Sequence, residues 1–279
     1  MAIELSLSTG MTLAVEHHGD ESAPPLILLH GLSGRRQTWD AVVEHLLPRY
    51  VDSGQLQLLA VDQRGHGESS RAESVGGYDA VSYAADLAAV IEFLGAGPAA
   101  VVGHSLGGVV AAQLAATRPE LLLGVFLEDP PLYEGDRARR DASPVAAFFP
   151  KLVAAVRDLQ AIGAPPEAYR PVASTMTPPD EVDDRCQTLH AWDPTTMEAA
   201  IEGIVWRGYD PSVPLRCPVS VLRADPDVGA VFEPGDVEPF LAANPDADMA
   251  MVPGASHNVH AAPTLAPFLR ELNDFLVNL

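Results

Sequence analysis

Four short runs in the first half of the chain, at residues 25–29, 56–61, 99–102 and 121–127, are apolar almost throughout rather than alternating. A strand with one wet face alternates polar and apolar residues, so continuous runs of this length predict strands covered on both faces. Between them lie segments with helical spacing at 38–47, 78–94 and 109–117. In the second of these, Val81, Ala84, Ala85, Leu87, Ala88, Val90 and Ile91 are read as one apolar side. Strand and helix in strict succession predict an α/β protein with a mostly parallel sheet flanked by helices. Ahead of the first run, alternating stretches at 3–8 and 11–16 meet at Thr9-Gly10, which predicts an antiparallel hairpin at one sheet edge. His17 and His18 close it, and as strand neighbours they point to opposite faces and cannot share one metal.

The succession breaks after Pro131. From 132 to 214 the patterns are helical only (145–159, 180–192 and 195–206), separated by prolines; strands resume at 218–224 and 247–252, with helices at 236–243 and 263–279. The expected organisation is therefore a core of residues 1–131 and 215–279 with residues 132–214 inserted as a helical cap. At 279 residues with 47% apolar content, the chain has enough material for a sizeable core.

A formal charge of -21 argues against nucleic acid or an anionic membrane surface as partner, since both would be repelled. Cys186 and Cys217 show no disulfide-type spacing, the first residues show no leader pattern, and no long apolar stretch is present. The expectation is a cytoplasmic protein that binds a small molecule.

The chemistry concentrates where strands end. The third apolar run leads into Gly103-His104-Ser105-Leu106-Gly107 and then into a helical pattern, so Ser105 stands on a strand-to-helix turn. Flanking glycines permit the sharp bend that lifts a serine hydroxyl clear of a sheet edge. A serine hydroxyl is a weak nucleophile and needs a histidine base held by a carboxylate. His257 follows the last strand, and in a parallel sheet all strand C-termini share one rim. Three acids also follow strands: Asp225, Asp227 and Asp129. His104 is the weaker base, because its side chain should point away from that of Ser105. His257 and His260 lie three apart, but no third metal ligand stands at a familiar spacing, and no metal site is expected.

Taken together, these segments resemble the alpha/beta-hydrolase fold enzymes with a helical cap. His30-Gly31 is similar to that family's oxyanion loop, Asp62-x-Arg64-Gly65-x-Gly67-x-Ser69 to its D-x-R-G-x-G-x-S segment, Gly103-x-Ser105-x-Gly107 to its nucleophile elbow, and Gly254-x-x-His257 to its histidine loop. The resemblance implies Ser105 as nucleophile, His257 as base, and the backbone N–H groups of Leu32 and Leu106 as the oxyanion hole, with no cofactor. It places the acid after the strand before the histidine strand, at Asp225 or Asp227; some relatives carry it after the strand next to the elbow, where Asp129 stands. It implies a hydrolase cleaving a carboxylic ester or lactone of a small, largely apolar molecule. A carbon–carbon bond hydrolase, a perhydrolase side activity and a non-catalytic small-molecule receptor would use the same framework. Asp62 and Arg64 are expected to tie loops together, while Met176, Met197, Phe148, Phe149, Trp192 and Trp206 are cap residues that would line a pocket or fill core.

Overall fold

The computed structural model describes residues 2–143 and 146–279. Strands β1 (Ala2–Ser6), β2 (Thr12–His18), β3 (Pro25–Leu29), β4 (Gln57–Val61), β5 (Ala99–His104), β6 (Leu122–Glu128), β7 (Val219–Arg223) and β8 (Asp248–Met251) form one sheet. Their order is β1-β2-β4-β3-β5-β6-β7-β8, with β1, β2 and β4 paired antiparallel and every other pair parallel. This is the α/β architecture with the edge hairpin expected from the sequence.

Side-chain alternation divides the core into two layers. Leu26 and Leu28 of β3, with Ala100 and Val102 of β5 and Phe126 of β6, pack on one face. Helices α1 (Asp40–Leu46) and, at the C-terminus, Leu265–Val277 cover that face, the latter through Phe268, Leu272 and Phe275, spaced one turn apart. Ile27, Leu29, Val101, Val125 and Leu127 point the other way, beneath α2 (Ala80–Leu94) and α3 (Leu106–Thr117). The α2 helix begins where the Asp79 carboxylate accepts from Ser82 N–H (2.7 Å) and ends at Gly95, whose φ of 63° closes it with a left-handed residue. Its apolar side is narrower than the pattern suggests, because Val81 and Ala85 are exposed, one turn apart on the outer face. Helix α3 is buried on almost every side, which explains its run of alanines and glycines.

Between β6 and β7 the described residues contain no strand. Helices α4 (Arg137–Ala142), α5 (Phe149–Ala161), α6 (Arg170–Ala173), α7 (Val182–Ala191) and α8 (Thr195–Ile201) occupy this span, and α9 (Pro234–Ala243) and α10 (Leu265–Val277) follow later. The first residue of the expected 145–159 helix lies outside the described residues; α5 itself starts with Pro150 in its first turn, where the missing N–H costs nothing. The expected 195–206 helix stops at Ile201, because Gly203 adopts φ 77° and a single 3-10 turn follows. Trp192 and Met197 lie inside the core formed with α2 and α3. The inserted span is also tied to the loops that leave the strand C-termini. Asp193 N–H donates to Gly65 O (2.8 Å), Trp206 Nε1–H to Pro131 O (2.6 Å) and Tyr78 O–H to the Asp193 carboxylate (2.6 Å). Among the described residues no helix is long and apolar enough to cross a membrane, and Cys186 and Cys217 are free thiols.

Candidate active site

Ser105 sits at the end of β5 with φ 51° and ψ -113°, outside the regions favoured by residues with a Cβ. Neighbours hold it there. Its N–H donates to Glu128 O (3.0 Å) on β6, and its carbonyl accepts from Gly108 N–H (2.9 Å) as α3 begins. The glycines answer to space: a Cβ on Gly107 would run into the carbonyl oxygen of Leu29, and one on Gly103 into that of Gly107. The same holds for Gly31, where a Cβ would stand 2.7 Å from His104 Nδ1 and 3.1 Å from Ser105 Cβ. The 30–33 loop is therefore pressed directly against the elbow. Among the described residues neither Leu32 N–H nor Leu106 N–H has an acceptor, and both flank this contact.

His257 Nδ1–H donates to Asp129 Oδ2 (2.7 Å). In the neutral imidazole this bond makes Nε2 of the half-buried ring the acceptor. Asp129 is fully buried at the end of β6 with φ 39°, and its N–H is held by Leu222 O (2.8 Å). Its Oδ1 accepts from Phe232 N–H (3.2 Å) and Ala224 N–H (3.4 Å), and Oδ2 also accepts from Val231 N–H (2.9 Å). Four donors around one carboxylate offset much of its burial cost. The two acids placed first from the sequence do not reach the ring. Asp225 is a partly buried turn cap whose carboxylate accepts from Gly254 N–H (2.7 Å) and Asp227 N–H (2.9 Å), hydrogen bonds that hold its carboxyl below the usual range. Asp227 carries on that turn, and its carboxylate makes no hydrogen bond among the described residues. The physical reason lies in how each carboxylate is used: β7 lies beside β8, but Asp225 turns back onto the N–H groups of Asp227 and Gly254, whereas Asp129 Oδ2 faces the His257 ring.

A second histidine–carboxylate pair, which no motif signalled, lies directly beneath. Glu128 is fully buried and accepts from His260 Nδ1–H (2.7 Å) and from His260 N–H (2.9 Å). Burial pushes the Glu128 carboxyl up, but His260 and His104 outweigh it and hold it below the usual range. The His260 ring packs on Trp39, with centroids 4.5 Å apart. The His104 ring is engaged with the histidine loop, where its Nε2–H donates to His257 O (3.0 Å). The residue beside the serine thus fixes the backbone of the histidine loop. No group of three or more potential metal ligands occurs among the described residues.

His30 and His66 lock the loops around the site. His30 Nδ1–H donates to Gly31 O (2.8 Å) while Nε2 accepts from Gln63 N–H (3.1 Å), and His66 Nδ1–H donates to Arg64 O (2.9 Å) while Nε2 accepts from Ser33 N–H (3.3 Å). The D-x-R-G segment does tie loops, though its charges do not pair with each other: Asp62 takes Arg36, and Arg64 takes Asp86 (2.6 Å). Burial lowers the pKa of His30, His66 and His104 from the ordinary 6.5, and each is neutral in the folded protein. Folded values below unfolded ones mean that the unfolded chain takes up protons first as pH falls through about 6.5. Stability should then decrease as the pH falls below about 6.5. Urea melts at pH 7.5 and 5.5 should show a lower midpoint at the acid pH; equal midpoints would contradict this account.

The chain has the alpha/beta-hydrolase fold. Residues 24–157 match the family described as alpha/beta hydrolase fold. Epoxide hydrolase A of Mycobacterium tuberculosis is 39% identical over 103 residues, 37% of this chain and 30% of that protein. The 2-(acetamidomethylene)succinate hydrolase of Mesorhizobium japonicum is 40% identical over 119 residues, 43% of this chain and 39% of that one. The aligned region thus spans well under two thirds of either relative. The solved structure of an epoxide hydrolase from Vigna radiata superposes with a TM-score of 0.78 at 16% identity, covering 100% of this chain and 98% of that one.

Proposed function

We propose that this chain is a serine hydrolase that cleaves a carboxylic ester or lactone of a small molecule through an acyl-enzyme. His257 Nε2 takes the Ser105 proton, the alkoxide attacks the substrate carbonyl, and the N–H groups of Leu32 and Leu106 stabilise the resulting oxyanion. Collapse expels the alcohol with a proton from His257. Water, deprotonated by the same ring, then releases the acid. Asp129 holds the proton-bearing Nδ1 and stabilises the imidazolium. The observation that carries this reading is the 2.7 Å bond from His257 Nδ1 to buried Asp129, which presents an unprotonated Nε2 on the rim where Ser105 is held in a strained elbow. Hydrolase activity in the relatives supports it, although they act on bonds of different kinds. In this reading residues 132–214 form the cap over the site, joined to the rim by Asp193 and Trp206.

A fluorophosphonate probe followed by peptide mapping tests the assignment. Covalent modification should fall on Ser105, together with turnover of at least one member of a p-nitrophenyl ester panel. An unmodified Ser105 and no turnover, with tight binding of a metabolite, would favour the receptor reading instead.

A further inference from the structure

The rim carries a cation that the hydrolytic machinery does not use. Arg185 stands on α7 of the inserted span and reaches across to the loop pressed against the elbow. Its Nη1–H donates to Ser33 O (2.5 Å) and its Nη2–H to Ser33 Oγ (2.9 Å), with Met176 Sδ at 3.6 Å. Ser33 is the next residue after Leu32 and is itself in the left-handed region at φ 58°. The two neighbouring arginines are already neutralised, Arg35 by Asp184 and Arg36 by Asp62 and Glu68. Arg185 forms no ion pair among the described residues. Burial pushes its guanidinium down to about 10, which still leaves it charged at neutral pH.

An arginine without a carboxylate at a partly buried position is costly, because desolvation is not offset by an opposite charge. A latch between cap and core needs only neutral donors, and two hydroxyl or amide contacts would serve. Adjacent residues are about 3.8 Å apart along the chain, so the guanidinium lies on the order of two residues from the Leu32 N–H. That is within reach of the end of a short acyl chain whose carbonyl sits at Ser105. A net charge of -21 makes the protein repel anions at long range, so an anionic substrate needs a local, preorganised counter-charge. The fork geometry of arginine suits a carboxylate.

We propose that Arg185 binds a carboxylate on the acyl part of the substrate, making the preferred substrate a half-ester of a dicarboxylic acid or a lactone of a hydroxy-dicarboxylic acid. This rests on the serine hydrolase reading above and replaces the expectation of a largely apolar substrate. Arg185 is a specificity-determining residue here, and the reacting atoms are handled by Ser105 and His257.

The test compares mono-p-nitrophenyl esters of succinic, glutaric and adipic acid with the neutral esters of matching length, after subtraction of the uncatalysed rate. The wild-type protein should prefer at least one half-ester. In Arg185→Met, kcat/KM for that half-ester should fall by about 10- to 100-fold, mainly through KM, with the neutral ester little changed. Arg185→Lys should recover part of the loss. Equal losses on charged and neutral esters, or no wild-type preference, would overturn the proposal and leave Arg185 as a cap latch. A second measurement separates it from the hydrolytic reading: calorimetric binding of monomethyl adipate and monomethyl glutarate to Ser105→Ala, with and without Arg185→Met. Binding lost with Arg185→Met, when the wild-type protein cleaves no ester of the panel, supports the carboxylate site and refutes the activity; binding indifferent to Arg185 refutes the site.

Discussion

Replacing Ser105 by alanine should lower ester turnover by about 10⁴- to 10⁶-fold and abolish labelling by a fluorophosphonate. The size follows from what is removed. Without the hydroxyl no acyl-enzyme forms, and only the oxyanion donors and substrate binding remain to accelerate attack by water. The substitution is also structurally mild. Ser105 is almost buried and strained at φ 51°, but alanine has the same Cβ, so the strain imposed by Glu128 O and the α3 N-terminus is unchanged. A thermal melt close to wild type should accompany the lost kcat. Turnover within tenfold of wild type, in a folded variant, would place the nucleophile elsewhere.

The second large effect concerns the acid. Asp129→Asn should cost about 10⁴-fold in kcat, whereas Asp225→Asn and Asp227→Asn should stay within a few-fold. The reason lies in the donor count around Asp129. Both of its oxygens face N–H groups: Phe232 and Ala224 on Oδ1, Val231 and His257 on Oδ2. An asparagine must set its NH₂ against one of these pairs, whichever way it is turned. The cheapest relief is for His257 to move its proton to Nε2, which removes the lone pair that would accept from Ser105. Asp225 binds only backbone N–H groups of Asp227 and Gly254, so its loss loosens a turn and leaves the ring in place. Steady-state kinetics on the three variants decide the matter: a large loss at Asp225 or Asp227 with Asp129→Asn near wild type would reverse the assignment.

Much of the fold was legible because burial on both faces writes itself into the chain. The runs at Pro25–Leu29 and Gln57–Val61 are buried at every position, and no other arrangement of such strands hides them as well as a covered parallel sheet. Gly103, Gly107 and Gly31 were equally readable, since each stands where another backbone or ring comes too close for a Cβ. What periodicity missed is instructive. Val81 and Ala85 are apolar and fit the helical stripe of α2, yet they face outward, with Val81 set against Gly208 of the inserted span. The Glu128–His260 pair carried no signal, because adjacent acids at a strand end look like turn residues until the ring arrives from 132 residues away.

Local pattern alone determined the succession of strands and helices, the strand-to-helix turn at Ser105 and the presence of a histidine after the final strand. These depend on near neighbours in sequence, through side-chain periodicity and glycine geometry. Which carboxylate meets His257, and that Arg185 reaches Ser33 rather than a carboxylate, was decided only by tertiary structure. The first depends on how the loops after β6, β7 and β8 meet, the second on how α7 crosses the 30–33 loop. Asp129, Asp225 and Asp227 are equivalent as residues that follow strands. They become different only when the folded loops bring the N–H groups of Ala224, Val231, Phe232 and His257 to Asp129 and turn Asp225 back onto Asp227 and Gly254.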